Sequence, residues 1–349
     1  MEAKELLQTL SNATGVSGHE MQIADATKVA FAPLIHEARV DKLGNCIMLR
    51  RGEGKEPRVR VMLAGHMDEV GLIVTKIEDG GFLRFTMIGI DQRTLPGQEV
   101  VVHGRQDLPG IVGSKPPHLL SPADVQKAVK YSDLYIDVGL PKDEVEQLVT
   151  VGDLITMGRT FIDLKNNYAA GKAFDDRAGV VVMFETLSEL AKLHHQADVY
   201  AVATVQEELG LRGAMTSAYG VQPDLAVAID VTHGDMPGVP EYQVNPLDKG
   251  PAICTGANIH PKIYEGLTKV ADEMGITYQV EVAPGATGTD AWAIQVTRAG
   301  IPTGLVSIPL RYMHTSVETL CLNDVKKAGR LLAYYIASIG EGYLEGLTW

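Results

Sequence analysis

Apolar positions along the chain fall into three textures. In the first, Leu6, Leu7 and Leu10, then Ile23, Ala24, Ala30 and Phe31, recur near helical spacing and predict helices over residues 2–10 and about 19–32. The intervening residues 11–18 are rich in turn formers and read as a loop. From about 37 to 64 the pattern is of strands separated by Leu43-Gly44-Asn45 and the charged turn Arg51 to Lys55. Val61-Met62-Leu63-Ala64 is apolar without alternation, as expected for a strand covered on both faces of a parallel sheet. It is followed closely by His66 and Asp68.

The second texture runs from about 69 to 164. Its segments Gly71 to Lys76, Gly81 to Ile88, Gln98 to His103, Gly110 to Gly113 and Leu134 to Val138 are short, β-rich and broken by Gly and Pro. One helical period, Asp143 to Val149, interrupts them. The third texture restores alternation, with helices expected at Ala178 to Leu193, from Leu209, over 261–274 and at Asp324 to Gly340. Apolar strands are expected at Val199 to Val205, Leu225 to Ile229, Thr277 to Val282 and Thr303 to Ile308. The pattern therefore predicts an α/β domain formed by residues 1–68 and 165–349, with a small β-barrel or sandwich over 69–164 inserted into it.

Composition narrows the class. At 349 residues, 45% apolar and 21% charged, the chain suits a soluble protein with one main domain and an addition, and no apolar run approaches a membrane span. Met1 to Leu6 is polar and charged, so a secretory segment is not expected. Cys46, Cys254 and Cys321 are too scattered for a disulfide framework, and a cytoplasmic location is expected. A formal charge of -13 disfavours nucleic acid or an anionic membrane as partner.

Candidate chemistry lies where apolar strands end. His66, Glu208, Asp230 and His314 each follow or close such a strand, at the mouth where open α/β sheets bind ligands. Each residue taken alone has an ordinary structural reading. Glu207-Glu208 suits a solvated corner, Asp175-Asp176 a helix cap, and Asp230 a strand-end turn. Their joint occurrence points to metal, because carboxylates buried at strand ends need a positive partner. With strand periodicity Asp68 would share a side with His66 and accept the ring N–H not used on a metal. His118, His233 and His260 stay in reserve. His19-Glu20 lacks the second histidine of a helical zinc motif, since Ile23 stands in its place. Gly52-Glu53-Gly54-Lys55 lacks the frame of a phosphate loop, and no nucleophile elbow or dinucleotide fingerprint occurs.

The segments Gly65 to Gly71, Phe174 to Arg177, Gln206 to Ala214, Gly288 to Ala291 and Arg311 to His314 resemble, in order, the M42 family of dinuclear metalloaminopeptidases. The resemblance implies a mixed-sheet, metallo-exopeptidase-like catalytic domain with helices on both faces, and a dimerisation role for the inserted β domain. It also implies two divalent ions per subunit, zinc or cobalt with manganese as a further option. His66 and Asp230 would hold one ion and Glu208 and His314 the other, with Asp175 bridging. Glu207 would be the general base and Asp68 the partner of His66, and Asp176 would follow the bridge through a cis peptide. A water shared by the ions would attack the peptide, removing N-terminal residues from short peptides with a free amino terminus. Relatives of this kind assemble from dimers into tetrahedral dodecamers.

The rival readings are a dinuclear carboxypeptidase or amide-hydrolysing deacylase, a glycosidase using Glu207 and Glu208, and a non-catalytic scaffold. Adjacent glutamates are poorly placed to flank a glycosidic bond. Residues 284–289 and 308–311 are expected to line the first side-chain pocket, with a neutral preference.

Overall fold

The computed structural model describes residues 1–123 and 125–347. Its first part holds α1 (Ala3–Asn12), α2 (Met21–Phe31), β1 (Glu37–Val40), β2 (Cys46–Arg50) and β3 (Arg60–His66). The helical spacing of Leu6, Leu7 and Leu10 becomes one fully buried face of α1. The apolar run beginning at Val61 is β3, which continues to His66. It lacks alternation because both its faces are covered: Val61 and Leu63 join one core layer, Met62 and Ala64 another.

The inserted segment is a closed barrel. Its strands are β4 (Gly71–Ile77), β5 (Leu83–Ile88), β6 (Glu99–His103), β7 (Asp107–Gly113), β8 (Tyr135–Asp137) and β9 (Leu154–Met157), in the order β4-β5-β8-β7-β6-β9. Burial alternates strictly along β7, as a barrel wall requires. Helix α3 (Lys142–Leu148) precedes β9, and Val145 fills the barrel core.

The chain then returns to the main sheet through β10 (Ile162–Asp163) and β11 (Tyr168–Gly171) and enters α4 (Phe174–Leu190). Asp175 and Asp176 have non-helical backbone angles, so the regular helix starts after them, and the peptide between them is cis. Next come β12 (Asp198–Thr204), α5 (Arg212–Val221), β13 (Leu225–His233), β14 (Ala252–Gly256), α6 (Pro261–Glu273), β15 (Gln279–Ala283) and α7 (Asp290–Gln295). The chain closes with β16 (Thr303–Arg311), β17 (Glu318–Cys321) and α8 (Leu322–Ala337).

The sheet order is β1-β2-β12-β3-β13-β16-β17-β11-β10, with β14 and β15 attached beside β16. Strands β12, β3, β13 and β16 are parallel and central. Helices α1, α4 and α8 pack on one face and α5 and α7 on the other. No helix among the described residues is long and apolar enough to cross a membrane.

Some elements depart from the sequence pattern. Strand β13 does not stop at Asp230 but runs on to His233, because β16 pairs with it that far. The helix expected from Leu209 starts at Arg212, after Gly210 and Leu211, which both have positive φ. Strands β11, β14 and β17 and helix α7 are too short to show a period of their own.

A buried ionic knot ties the amino-terminal loop to the start of α4. Glu69 accepts from Arg177 Nη2 at 3.0 Å, Lys172 Nζ at 2.6 Å and the Gly15 amide at 3.0 Å. Arg177 Nη1 also donates to the carbonyls of Leu10 and Ala13, each at 2.6 Å. Gly15 is required here, since a Cβ would lie 2.9 Å from the guanidinium and 2.7 Å from Ile23. Burial would raise the Glu69 carboxyl, but Lys172 and Arg177 hold it below the usual range. Replacing Glu69 by Gln leaves two buried cations short of a counter-charge, a loss of about 3–5 kcal/mol. Thermal unfolding of Glu69→Gln is expected to show a midpoint several degrees lower, and an unchanged midpoint would remove this role.

Candidate metal centre

Parallel register brings the candidates level. Thr204 pairs with His66, and the pairing of Ala64 with Ala228, continued by two residues, sets Asp230 beside His66. Glu207 and Glu208 follow the end of β12, His314 follows β16, and Asp175 enters from the strained start of α4. All open into one cleft of about 270 Å³.

The donor atoms converge on Asp175. Its Oδ1 lies 3.0 Å from His66 Nε2, and its Oδ2 lies 3.2 Å from His314 Nε2. His314 Nε2 is also 3.2 Å from Glu208 Oε1. Ligand-capable atoms gather in the triads His66, Asp175, Asp230 and Asp175, Glu208, His314, and a third group adds Glu207 to His66 and Glu208, each within a 4.8 Å span. Glu207 Oε2 stands 3.9 Å from His66 Nε2. Asp68 lies behind His66, with its carbonyl 3.2 Å and its Oδ1 3.5 Å from Nδ1. Strand β3 ends at His66, and the next residue, Met67, still donates its amide to the Thr204 carbonyl at 2.9 Å.

A further set of buried carboxylates grips the backbone of these residues. Asp68 accepts from the amides of Glu207 at 3.0 Å and Glu208 at 3.3 Å, and from Ser17 Oγ at 2.7 Å. Asp176 accepts from the His66 amide at 3.2 Å. Glu318 Oε2 accepts from the amides of Phe174 and Asp175, at 2.7 and 3.1 Å, while its Oε1 accepts from that of His314 at 2.8 Å. Glu20, the glutamate of the incomplete zinc motif, accepts from the Gln206 amide at 3.1 Å. Asp290 accepts from the Thr204 hydroxyl. Ala173, Gln206 and His314 all have positive φ, conformations that persist only where neighbours enforce them.

So much buried acid shifts the titrations. Burial, reinforced by Asp230, Asp290 and Glu208, pushes Glu207 up to about 10. Burial and then Asp175 raise Asp230 and Glu208, and the same two causes lift Glu318 to about 8. Burial opposes ionisation of Asp175 too, yet bonds from His314 and His66 pull it below its ordinary value. Hydrogen bonds to Asp175 and Glu208 push His314 up to about 11. Among the described residues no lysine or arginine lines the cleft. The cluster is thus short of positive charge, and its mixed imidazole and carboxylate donors are a divalent-cation set.

All seven sequence candidates are in or directly behind the cleft. Of the reserve histidines, His233 lines it, whereas His118 and His260 do not. Thr287, Gly288 and Thr289 line it as expected, but residues 308–311 do not. Ile308 and Leu310 are inside the core, and Arg311 is paired with Asp235 at 2.7 Å. Thr232, Glu281 and Met313 line the cleft without having been singled out. Glu318 was also missed, although an acid opening the apolar run Thr319 to Leu322 was a usable signal.

The geometry agrees with what the chain resembles. Residues 44–331 match the model of the family described as M42 glutamyl aminopeptidase. A lysyl aminopeptidase of Pyrococcus furiosus is 35% identical over 94% of this chain and 94% of its own. The crystal structure of a TET aminopeptidase from the Thaumarchaeota archaeon SCGC AB-539-E09 superposes with a TM-score of 0.94, at 37% identity over 99% of each chain. The TET1 peptidase of Pyrococcus horikoshii, which can assemble into a tetrahedron or a large octahedral shell, has a TM-score of 0.85 at 33% identity, covering 97% of this chain and all of that one. With its acid-rich cleft and a match through most of its length, the chain belongs to the M42 aminopeptidase family, metal-dependent hydrolases of the peptide bond.

Proposed function

We propose that the cleft holds two divalent cations, zinc or cobalt with manganese as a further option. In this reading His66 and Asp230 hold one, Glu208 and His314 the other, and Asp175 lies between them. The supporting observation is that Asp175 belongs both to the group with His66 and Asp230 and to the group with Glu208 and His314. When bound, such a pair lowers the pKa of a water and polarises the scissile carbonyl.

Glu207 stands outside both triads and is the group left to move protons. It takes one from the attacking water and returns it to the leaving amine. Its raised pKa belongs to the protein alone, and positive charge beside it favours the carboxylate that a base must be. Asp68 orients the His66 ring through Nδ1 and, through two amides, sets Glu207 and Glu208 in opposite duties. Because Glu207 and Glu208 are adjacent, their fixed backbone lets one face the donors of the second triad and the other the substrate.

The substrates are short peptides with a free amino terminus. Residues 1–68 and 165–349 form the catalytic domain, and 69–164 the dimerisation domain from which a tetrahedral dodecamer is built. Support comes from the TET relatives and from exposed apolar side chains on the inserted segment, including Ile111, Leu119 and Tyr131. A hollow shell of that kind admits short, unfolded chains by size.

Four outcomes test the reading. Glu207→Gln is expected to keep its metal, measured by elemental analysis, and to lose about 10²–10⁴ in kcat on a leucyl chromogenic substrate. Retained turnover would remove the base assignment. Chelation is expected to abolish turnover and divalent ion to restore it. In Glu318→Gln the restoring concentration should rise about 10–100-fold, because an amide has one acceptor oxygen where three amides need two. Light scattering should give a mass near a dodecamer of 37.6 kDa chains, and a monomer would refute the assembly.

A further inference from the structure

The wall of the cleft carries one acid that the metal reading leaves unused. Glu281 lies on β15, where Val280 and Val282 face outward and Glu281 faces in. Its Oε1 accepts from Thr232 Oγ1 at 2.7 Å. Its Oε2 is buried with no hydrogen-bond partner. A carboxylate oxygen removed from water without a donor is costly, and the protein supplies none.

The position of Glu281 relative to the donors is set by β13. Thr232 is two residues beyond Asp230 on that strand, so the two side chains share a face about 6–7 Å apart. A peptide whose α-amino group is anchored beside Asp230 and Glu207 therefore has its first side chain within reach of Glu281. Lysine spans such a distance with its four-carbon stem and ends in three rotatable donors. The charge balance points the same way. In the proposed centre the three metal-binding carboxylates and a water deprotonated by Glu207 offset four positive charges, which leaves Glu281 uncompensated. With no lysine or arginine on the wall among the described residues, an acidic side chain would meet no permanent cation there.

We infer that Glu281 is a specificity-determining residue that selects peptides with an amino-terminal lysine or arginine, in place of the neutral preference expected from sequence. The inference rests on the metal-centre reading and takes the substrate amine to bind at that centre. It also gives a role to Thr232, which holds one carboxylate oxygen while the other stays without a donor inside the protein.

The test is a panel of lysyl, arginyl, norleucyl, leucyl and glutamyl p-nitroanilides on the metal-loaded protein. kcat/KM for lysyl and arginyl should exceed the others by at least about ten-fold, because an unpaired polar group penalises a substrate that cannot satisfy it. Glu281→Gln should erase most of the lysyl-to-norleucyl ratio, and Glu281→Asp should retain much of it. Equal or better turnover of leucyl or glutamyl substrate by the unsubstituted protein overturns the inference, as does a lysine preference that survives Glu281→Gln. Should that variant not fold, the lysyl-to-norleucyl ratio of the unsubstituted protein decides, and it must fall as sodium chloride is raised. Turnover of no member of the panel would instead overturn the metal-centre reading itself.

Discussion

Negative charge confined at the mouth of a parallel sheet is the constraint around which this molecule is built. Asp175, Glu207, Glu208 and Asp230 crowd one cleft, and Asp68, Asp176, Asp290 and Glu318 are buried close behind or beside it. Water cannot solvate the buried members, and among the described residues no lysine or arginine lines the cleft to neutralise those that face it. Two kinds of positive partner remain. One is a divalent cation in the cleft, and the other is the partial charge on main-chain N–H groups. The structure divides the acids accordingly: one set turns its oxygens into the cleft, while Asp68, Asp176 and Glu318 accept from backbone amides and Asp290 from the Thr204 hydroxyl.

That division explains how loops can hold a site that needs precision. His66 and Asp230 are on strands, but Glu207, Glu208 and His314 are on connections, which are ordinarily the more mobile parts of a fold. Asp68 and Glu318 tie those connections down by their amides, and Glu318 reaches Asp175 and His314 at once. The left-handed residues Ala173, Gln206 and His314 are the cost of aiming the side chains inward. The knot of Glu69, Arg177 and Lys172 secures the same region from behind.

The barrel also reaches the centre. A Cβ on Gly89 would stand 3.2 Å from Glu208 Oε2, and Gln98 accepts from Ser316, two residues past His314. A segment that reads in sequence as a separate β insertion therefore borders the cleft it interrupts. In the proposed chemistry this means that assembly through the barrel and catalysis share a boundary, while selection of the first side chain falls to Glu281 on β15.

Sequence alone determined the elements whose burial is periodic. The α1 face of Leu6, Leu7 and Leu10, the doubly covered β3 and the change of texture after Asp68 could all be read because side-chain burial repeats along a single element. The order of acidic and histidine segments likewise carried the family resemblance. Whether the insertion closed into a barrel or packed as a sandwich was beyond reach, since closure depends on β4 meeting β9 across more than seventy residues. The roles of Glu318 and Glu281, and the burial of residues 308–311 away from the cleft, were equally hidden. They rest on contacts such as that of Glu318 with Asp175, 143 residues apart, which no local period encodes. Burial along a strand or helix is a property of neighbours in the chain, whereas the partner of a buried charge is chosen only when distant segments have packed.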